Sequence, residues 1–341
     1  MIRFKNLFNN DAVSSPSSSH LDFIDLAKGL CIILVMSYHC DYGEFIYSND
    51  KVNSFFFSFR MPLYFMLSGF FISFRHGYKD FALKKINRLI VPFFFFFFIS
   101  SVICFFLKPE DCCSVFNFMY TEWGGGNLPI WFLLSLFTTY ALYALITRYV
   151  SQNELILCVF ATILGGIGFC LGMYKVNLPF FIDTSLTCFP FVVFGGLMRK
   201  HTNLLKKDVW YRCLLISVVS FALCWCFCNG ESHFKENQFD CGLVVMYLCG
   251  ILGSVGIIYF AKLVNNLPAV NYIGRYSIIV LGIHKFLIIK PIFDRVHPSL
   301  DTRISIVVSV IVVIVASPFV IMFFRRLFPW FCAQKDLIGR S

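Results

Sequence analysis

The chain has 341 residues, 58% of them hydrophobic and only 14% charged, with mean hydropathy +0.74. A soluble domain carries about 25% charged residues, so this composition excludes a single soluble core and points to repeated apolar runs of membrane-spanning length. The formal net charge of +10 is spread between those runs, where topology signals lie, and does not point to nucleic acid.

Ten spans are expected, at roughly 22–41, 54–74, 88–107, 129–149, 154–173, 179–198, 210–229, 241–262, 272–290 and 304–326. The predicted fold class is an all-α polytopic membrane protein. A tail of residues 1–21 precedes the transmembrane domain of 22–326, and a tail of 327–341 follows it. Ser14 to Ser19 reads as a polar linker. No small-residue cleavage site follows the first apolar segment, so that segment is read as a retained helix.

The first span carries Lys28 and His39, eleven residues apart. Eleven steps of 100° return to nearly the same helix face, and the rise separates the two by roughly 16 Å. A cation near one surface and an imidazole deep in the membrane therefore share one stripe. Ionisable groups in hydrocarbon are costly and mark functional sites. Asp25 lies one turn before Lys28 and is expected to orient it as an i, i+3 pair.

The second span contains Arg60, which is not expected to face lipid; the plain reading is an ion pair with Asp25, Glu44 or another carboxylate. Lys84, Lys85 and Arg88 precede the third span, where Pro92 falls near a helix start. Phe93 to Phe98 read as lipid- or core-facing bulk. The loop 108–128 holds Glu122, an exposed acid, and Gly124 to Gly126, a turn without nucleotide-binding context. Trp131 opens the fourth span. His284 lies twelve residues after Tyr272 in the ninth, at an outer depth similar to that of His39; a satisfied interhelical hydrogen bond is the plain reading. The 15 cysteines are mostly single within apolar runs and lack zinc-site spacing. No metal and no required disulfide are expected.

With the first residue inside, the inner segments carry 20 Lys and Arg against 8 outside, Arg60 being left within a span. This asymmetry predicts cytoplasmic N- and C-termini and an even number of spans.

Several segments together resemble the acyltransferase-3 family of integral-membrane O-acyltransferases, with the nearest likeness to its fucose 4-O-acetylase-related, sugar-modifying branch. The family opens with a basic residue, ten residues and a histidine; here these are Lys28 and His39. Arg60, Met61, Pro62, Leu63, Tyr64 and Phe65, followed by Ser68 and Gly69, resemble its Met-Pro-Leu-Phe-Phe…Ser-Gly element. Lys85, Arg88, Leu89 and Pro92 are similar to its basic-x-x-Arg-Leu…Pro start of a helix. Leu128, Pro129, Trp131, Phe132 and Leu133 resemble the Trp-Phe-Leu element. Pro190 with Gly195, and Tyr272 with Gly274 and His284, follow in family order. Many members carry Arg where this chain has Lys28 and Lys85, which keeps the charge but loses the bidentate fork. Sugar-acetylating relatives often show a histidine at the place of Arg60. The extra extracytoplasmic hydrolase-like domain of longer members is absent from this sequence.

The resemblance implies an acyl-CoA donor, with acetyl-CoA the expected form, no bound cofactor, and a carbohydrate or lipid-linked glycan acceptor, in a bacterial inner membrane. Membrane lipids are the only other partner expected, and the oligomeric state stays open. On this reading His39 is the general base. Lys85 and Arg88 contact the CoA phosphates. Arg60, Ser68, Asn127 and Trp131, in that order, are candidates to stabilise the oxyanion or hold substrate. His284 is a further substrate contact. A transporter or flippase for lipid-linked sugars, and an acyl-group exporter feeding a separate transferase, are the alternatives.

Overall fold

The computed structural model describes residues 21–41, 45, 47–107, 128–206, 208–284 and 302–339. It is all-helical apart from one short hairpin. In chain order the elements are α1 (Asp22–Asp41), α2 (Asp50–Phe70), α3 (Gly77–Lys85), a π-helical turn (Ile86–Ile90) and α4 (Val91–Leu107). After these come α5 (Trp131–Tyr149), α6 (Glu154–Met173), α7 (Ile182–His201), α8 (Trp210–Phe227), β1 (Ser232–His233) and β2 (Gln238–Phe239). The chain closes with α9 (Leu243–Val264), α10 (Pro268–Arg275), α11 (Ser277–Ile283) and α12 (Thr302–Leu327).

Among the described residues, eight helices are long and apolar enough to cross a membrane. Burial separates them. The most apolar stretch of α8 is 22% buried, and that of α1 is 61% buried. Leu215, Val218, Phe227, Leu155 and Val159 are exposed, which is the pattern of helices that show one face to lipid. This is an integral membrane protein.

Two of the expected spans look different in the structure. The span predicted at 54–74 is α2, which starts earlier because Asn49 caps it, its Oδ1 accepting from the backbone N–H groups of Lys51 and Val52 at 3.0 and 3.1 Å. It is not among the eight, since Asp50, Lys51, Asn53 and Arg60 lower its apolarity. The stretch predicted as a span over 272–290 is broken at Tyr276 (φ −107°, ψ 26°), and residues 285–300 lie outside those described. The break has a cause in packing. Gly274 lies against the Asp25 carbonyl, and Gly29 against the Val270 carbonyl, so closely that a methyl at either would collide. Small residues let backbones approach in this way, and here they lock α10 across the start of α1.

The same device joins α2 to α7: Gly69 lies against the Val192 backbone and Gly195 against that of Met66. With α9, which packs on both α1 and α2, these contacts put α1 and α2 at the centre of the bundle.

The last segment is not a loose tail. Asn87, in the π-helical turn, is buried; its Oδ1 accepts from the N–H groups of Leu337 and Ile338 at 2.9 and 2.8 Å, and its Nδ2 donates to the Ile338 carbonyl at 3.0 Å. Cys332 and Ala333 are buried beside it.

Candidate functional site

The stripe on α1 faces the protein interior. Lys28, Ile32 and Val35 line one cavity of about 120 Å³, and Val35, Tyr38 and His39 another of about 300 Å³, termed inner and outer after the orientation expected from the cation asymmetry. Val35, Met61 and Leu281 border both cavities. The two chambers therefore adjoin across a wall, termed the neck, made by α1, α2 and α11, with Lys28 on one side and His39 on the other.

The inner chamber is walled by Tyr64, Ser68, Leu89, Phe132 and Ser277 besides the α1 residues. The Tyr64 hydroxyl donates to the Lys28 carbonyl at 2.9 Å, and the Lys28 ammonium sits 5.7 Å above the Phe71 ring. Behind this wall the Lys85 ammonium lies 3.5 Å above the Tyr140 ring, and the Tyr140 hydroxyl donates to the Ser68 carbonyl at 3.1 Å. Two lysines thus converge on one end of the path. Arg88 points elsewhere. It donates to the Ala333 carbonyl and pairs with Asp336 at 3.9 Å, so it fastens the last segment to the π-helical turn.

Asp25 reaches across to α10, its Oδ2 lying 3.3 Å from the Arg275 Nε. The buried carboxylate thereby helps to hold the Gly274 contact with α1.

The outer chamber holds His39, Arg60 and Trp131. Arg60 is 8% exposed and its guanidinium is stacked on two rings, with its Cζ 3.5 Å from the Phe57 centroid and 4.4 Å from that of Tyr38. Its Nη1 has no hydrogen-bond partner among the described residues. Aromatic faces attract a cation, but they leave its N–H donors unused. A planar donor set of this kind is available to a ligand or to a developing negative charge.

His284 is fully buried, with its ring centroid 5.3 Å from that of His39. Its Nδ1 lies 2.9 Å from the Val280 carbonyl and 3.1 Å from that of Leu281. A carbonyl only accepts, so Nδ1 carries hydrogen, and the lone pair of the neutral ring is on Nε2.

The structure therefore brings His39, Arg60, Trp131 and His284 together. Ser68 belongs to the inner chamber with Lys28, away from the imidazole whose oxyanion it was expected to serve. Asn127 lies outside the described residues.

Sequence reasoning missed the roof of the outer chamber. Ser232, His233, Phe234, Lys235 and Glu236 line it from the β1–β2 hairpin. The available signal was short: two polar–aromatic pairs flanking a polar turn that ends in Asn237, a residue type tolerant of positive φ (here 53°).

A family model described as an acyltransferase domain matches residues 21–323. No curated protein and no solved structure matches the chain.

Proposed function

The chain belongs to the acyltransferase-3 family, and on that premise we propose that it moves an acyl group from cytoplasmic acyl-CoA to a hydroxyl of a sugar or surface-glycan precursor, with acetyl as the group and His39 as general base. The observation that carries this reading is the pair of adjoining chambers that share Val35, Met61 and Leu281, with Lys28 on one side and His39 on the other. A donor with an anionic head and a long neutral arm matches that order of groups. Lys28 and Lys85 attract the phosphates, and the arm passes the apolar neck to bring its thioester to the imidazole.

The chemistry balances without a cofactor. His39 takes the proton from the acceptor hydroxyl as its oxygen attacks the thioester carbonyl. The tetrahedral oxyanion is met by the free Arg60 Nη1. Collapse breaks the carbon–sulfur bond, the ester remains on the acceptor, and the CoA thiolate recovers the proton from the imidazolium. Trp131 offers an apolar ring face in the same chamber. The likeness to the fucose 4-O-acetylase branch, and a bacterial inner membrane as the location, belong to this proposal.

The test is transfer of radiolabelled acetyl from acetyl-CoA to candidate glycans by the purified protein. His39→Ala is expected to lower the rate by about 10²–10⁴-fold with the protein still folded. Full activity in that variant overturns the assignment. Label retained on the protein and never on a glycan favours an exporter.

A further inference from the structure

The β1–β2 hairpin lines the outer chamber and is absent from the lining of the inner one. Its position is fixed from below. Asn237 is fully buried; its Nδ2 donates to the Gly168 carbonyl on α6 at 2.8 Å, and its Oδ1 accepts from the Thr187 hydroxyl on α7 at 2.8 Å. Gly172 leaves room for the Asn237 carbonyl, where a methyl would collide. Phe239 stacks on Phe169 with centroids 5.7 Å apart, and Phe234 packs against Phe191. Glu231 and Asp240 close the hairpin's base through two backbone N–H bonds of 3.1 Å. The roof is therefore pinned by buried polar contacts and rings, which is how a binding surface is kept in one geometry.

What the roof presents is polar and balanced in charge. Lys235 and Glu236 stand side by side, Nζ to Oε1 3.3 Å, and both line the chamber. His233 is held by Glu231 at 2.6 Å and meets the Phe57 ring at 5.4 Å. A hydroxyl group both donates and accepts, so neighbouring hydroxyls on one ring are matched by an ammonium beside a carboxylate. Trp131 in the same chamber supplies a flat face for the apolar side of such a ring.

We propose that the hairpin selects the acceptor, with Lys235 and Glu236 gripping adjacent hydroxyls of an uncharged sugar ring while His39 works on a third. The inference rests on the acyl-transfer reading above and deepens it. Because the pair is internally neutral, an acidic sugar gains little from Lys235 and is repelled by Glu236, while the chamber's other cation, Arg60, is committed to the oxyanion on this reading.

The experiment uses the full-length protein, acetyl-CoA, and p-nitrophenyl glycosides of a neutral hexose, its deoxy analogue and its uronic acid. CoA release and labelled glycoside are followed by chromatography. Wild-type protein is expected to acetylate the neutral hexoside at least tenfold more efficiently than either analogue. The Lys235→Ala, Glu236→Ala double variant is expected to raise KM for that hexoside at least tenfold, with KM for acetyl-CoA and the thermal unfolding midpoint unchanged. Lys235→Gln with Glu236→Gln, which keeps donors and acceptors, should restore part of the loss. Equal use of the uronide, unchanged acceptor KM in the double variant, or no glycoside labelled at all overturns the inference. If CoA is still released in a His39-dependent way, the acyl-transfer reading survives that result; if wild-type protein releases none, both fall.

Discussion

At the scale of single residues, the outer chamber sets the His39 imidazole against the Arg60 guanidinium. Arg60 is buried, its Nη1 without a hydrogen-bond partner among the described residues, and a charge held in this way ordinarily costs stability. If its purpose is catalytic, Arg60→Met should lower acyl transfer by about 10²–10³-fold, the usual loss for one oxyanion donor. Donor KM should stay level and the unfolding midpoint should hold or rise. A large fall in unfolding temperature with near-normal turnover would instead make Arg60 a structural stack on Phe57 and Tyr38. His284 differs in kind. Its ring is fully buried beside that of His39 and its Nδ1 is committed to backbone carbonyls; on the proposed reading it serves to place His39. His284→Phe should reduce turnover by roughly tenfold, clearly less than loss of the base itself, with acetyl-CoA KM unchanged. The Lys28–His39 stripe was legible in the sequence because helical spacing alone puts both on one face. The environment of Arg60 was not. Phe57 lies one turn before it on α2, but the second ring, Tyr38, comes from α1, and no local pattern announces which ring a neighbouring helix will offer.

At the scale of elements, the π-helical turn between α3 and α4 does two jobs. Its widened backbone sends Leu89 to the inner chamber while Asn87 and Arg88 hold residues 333–338; such turns recur at functional sites. Arg88 was expected at the donor phosphates, and Asp336 now competes for it. Asp336→Ala should therefore lower acetyl-CoA KM severalfold if Arg88 serves the donor, and leave it unchanged if Arg88 is only a fastener. Undocking has its own reporter. Burial pushes the Cys332 thiol up to about 12, so the thiolate, the reactive form, is scarce near neutrality. Asn87→Ala removes three hydrogen bonds to the last segment, and peptide mapping after brief alkylation should show Cys332 modified in the variant and protected in the parent. Asn87 looked in the sequence like any polar residue beside a basic run. Its partners lie about 250 residues away, where spacing carries no information. The hairpin was invisible for a related reason, since two-residue strands have no periodicity to read.

At the scale of the whole molecule, catalysis from two sides of a membrane requires one path with a controlled waist. The broad architecture was readable from apolar runs, and the cation asymmetry set an expected direction for the path. The break at Tyr276 was not readable, because it arises where Gly274 meets the α1 backbone. That break matters, since it starts α11 afresh and sets Leu281 in the neck opposite Val35 and Met61. Filling the neck tests the arrangement. Leu281→Trp should stop acetyl transfer to glycan, by at least a hundredfold, while CoA binding measured calorimetrically persists, because Lys28 and Lys85 lie on the inner side. Overpacking costs about 1–3 kcal/mol, so Leu281→Met, nearly equal in volume, serves as the control and should transfer normally at an unchanged unfolding midpoint. Transfer at full rate through a tryptophan-filled waist would mean that the thioester reaches His39 by some other route. The inner chamber would then be a packing defect, and Lys28 a charge that anchors α1 at the membrane surface.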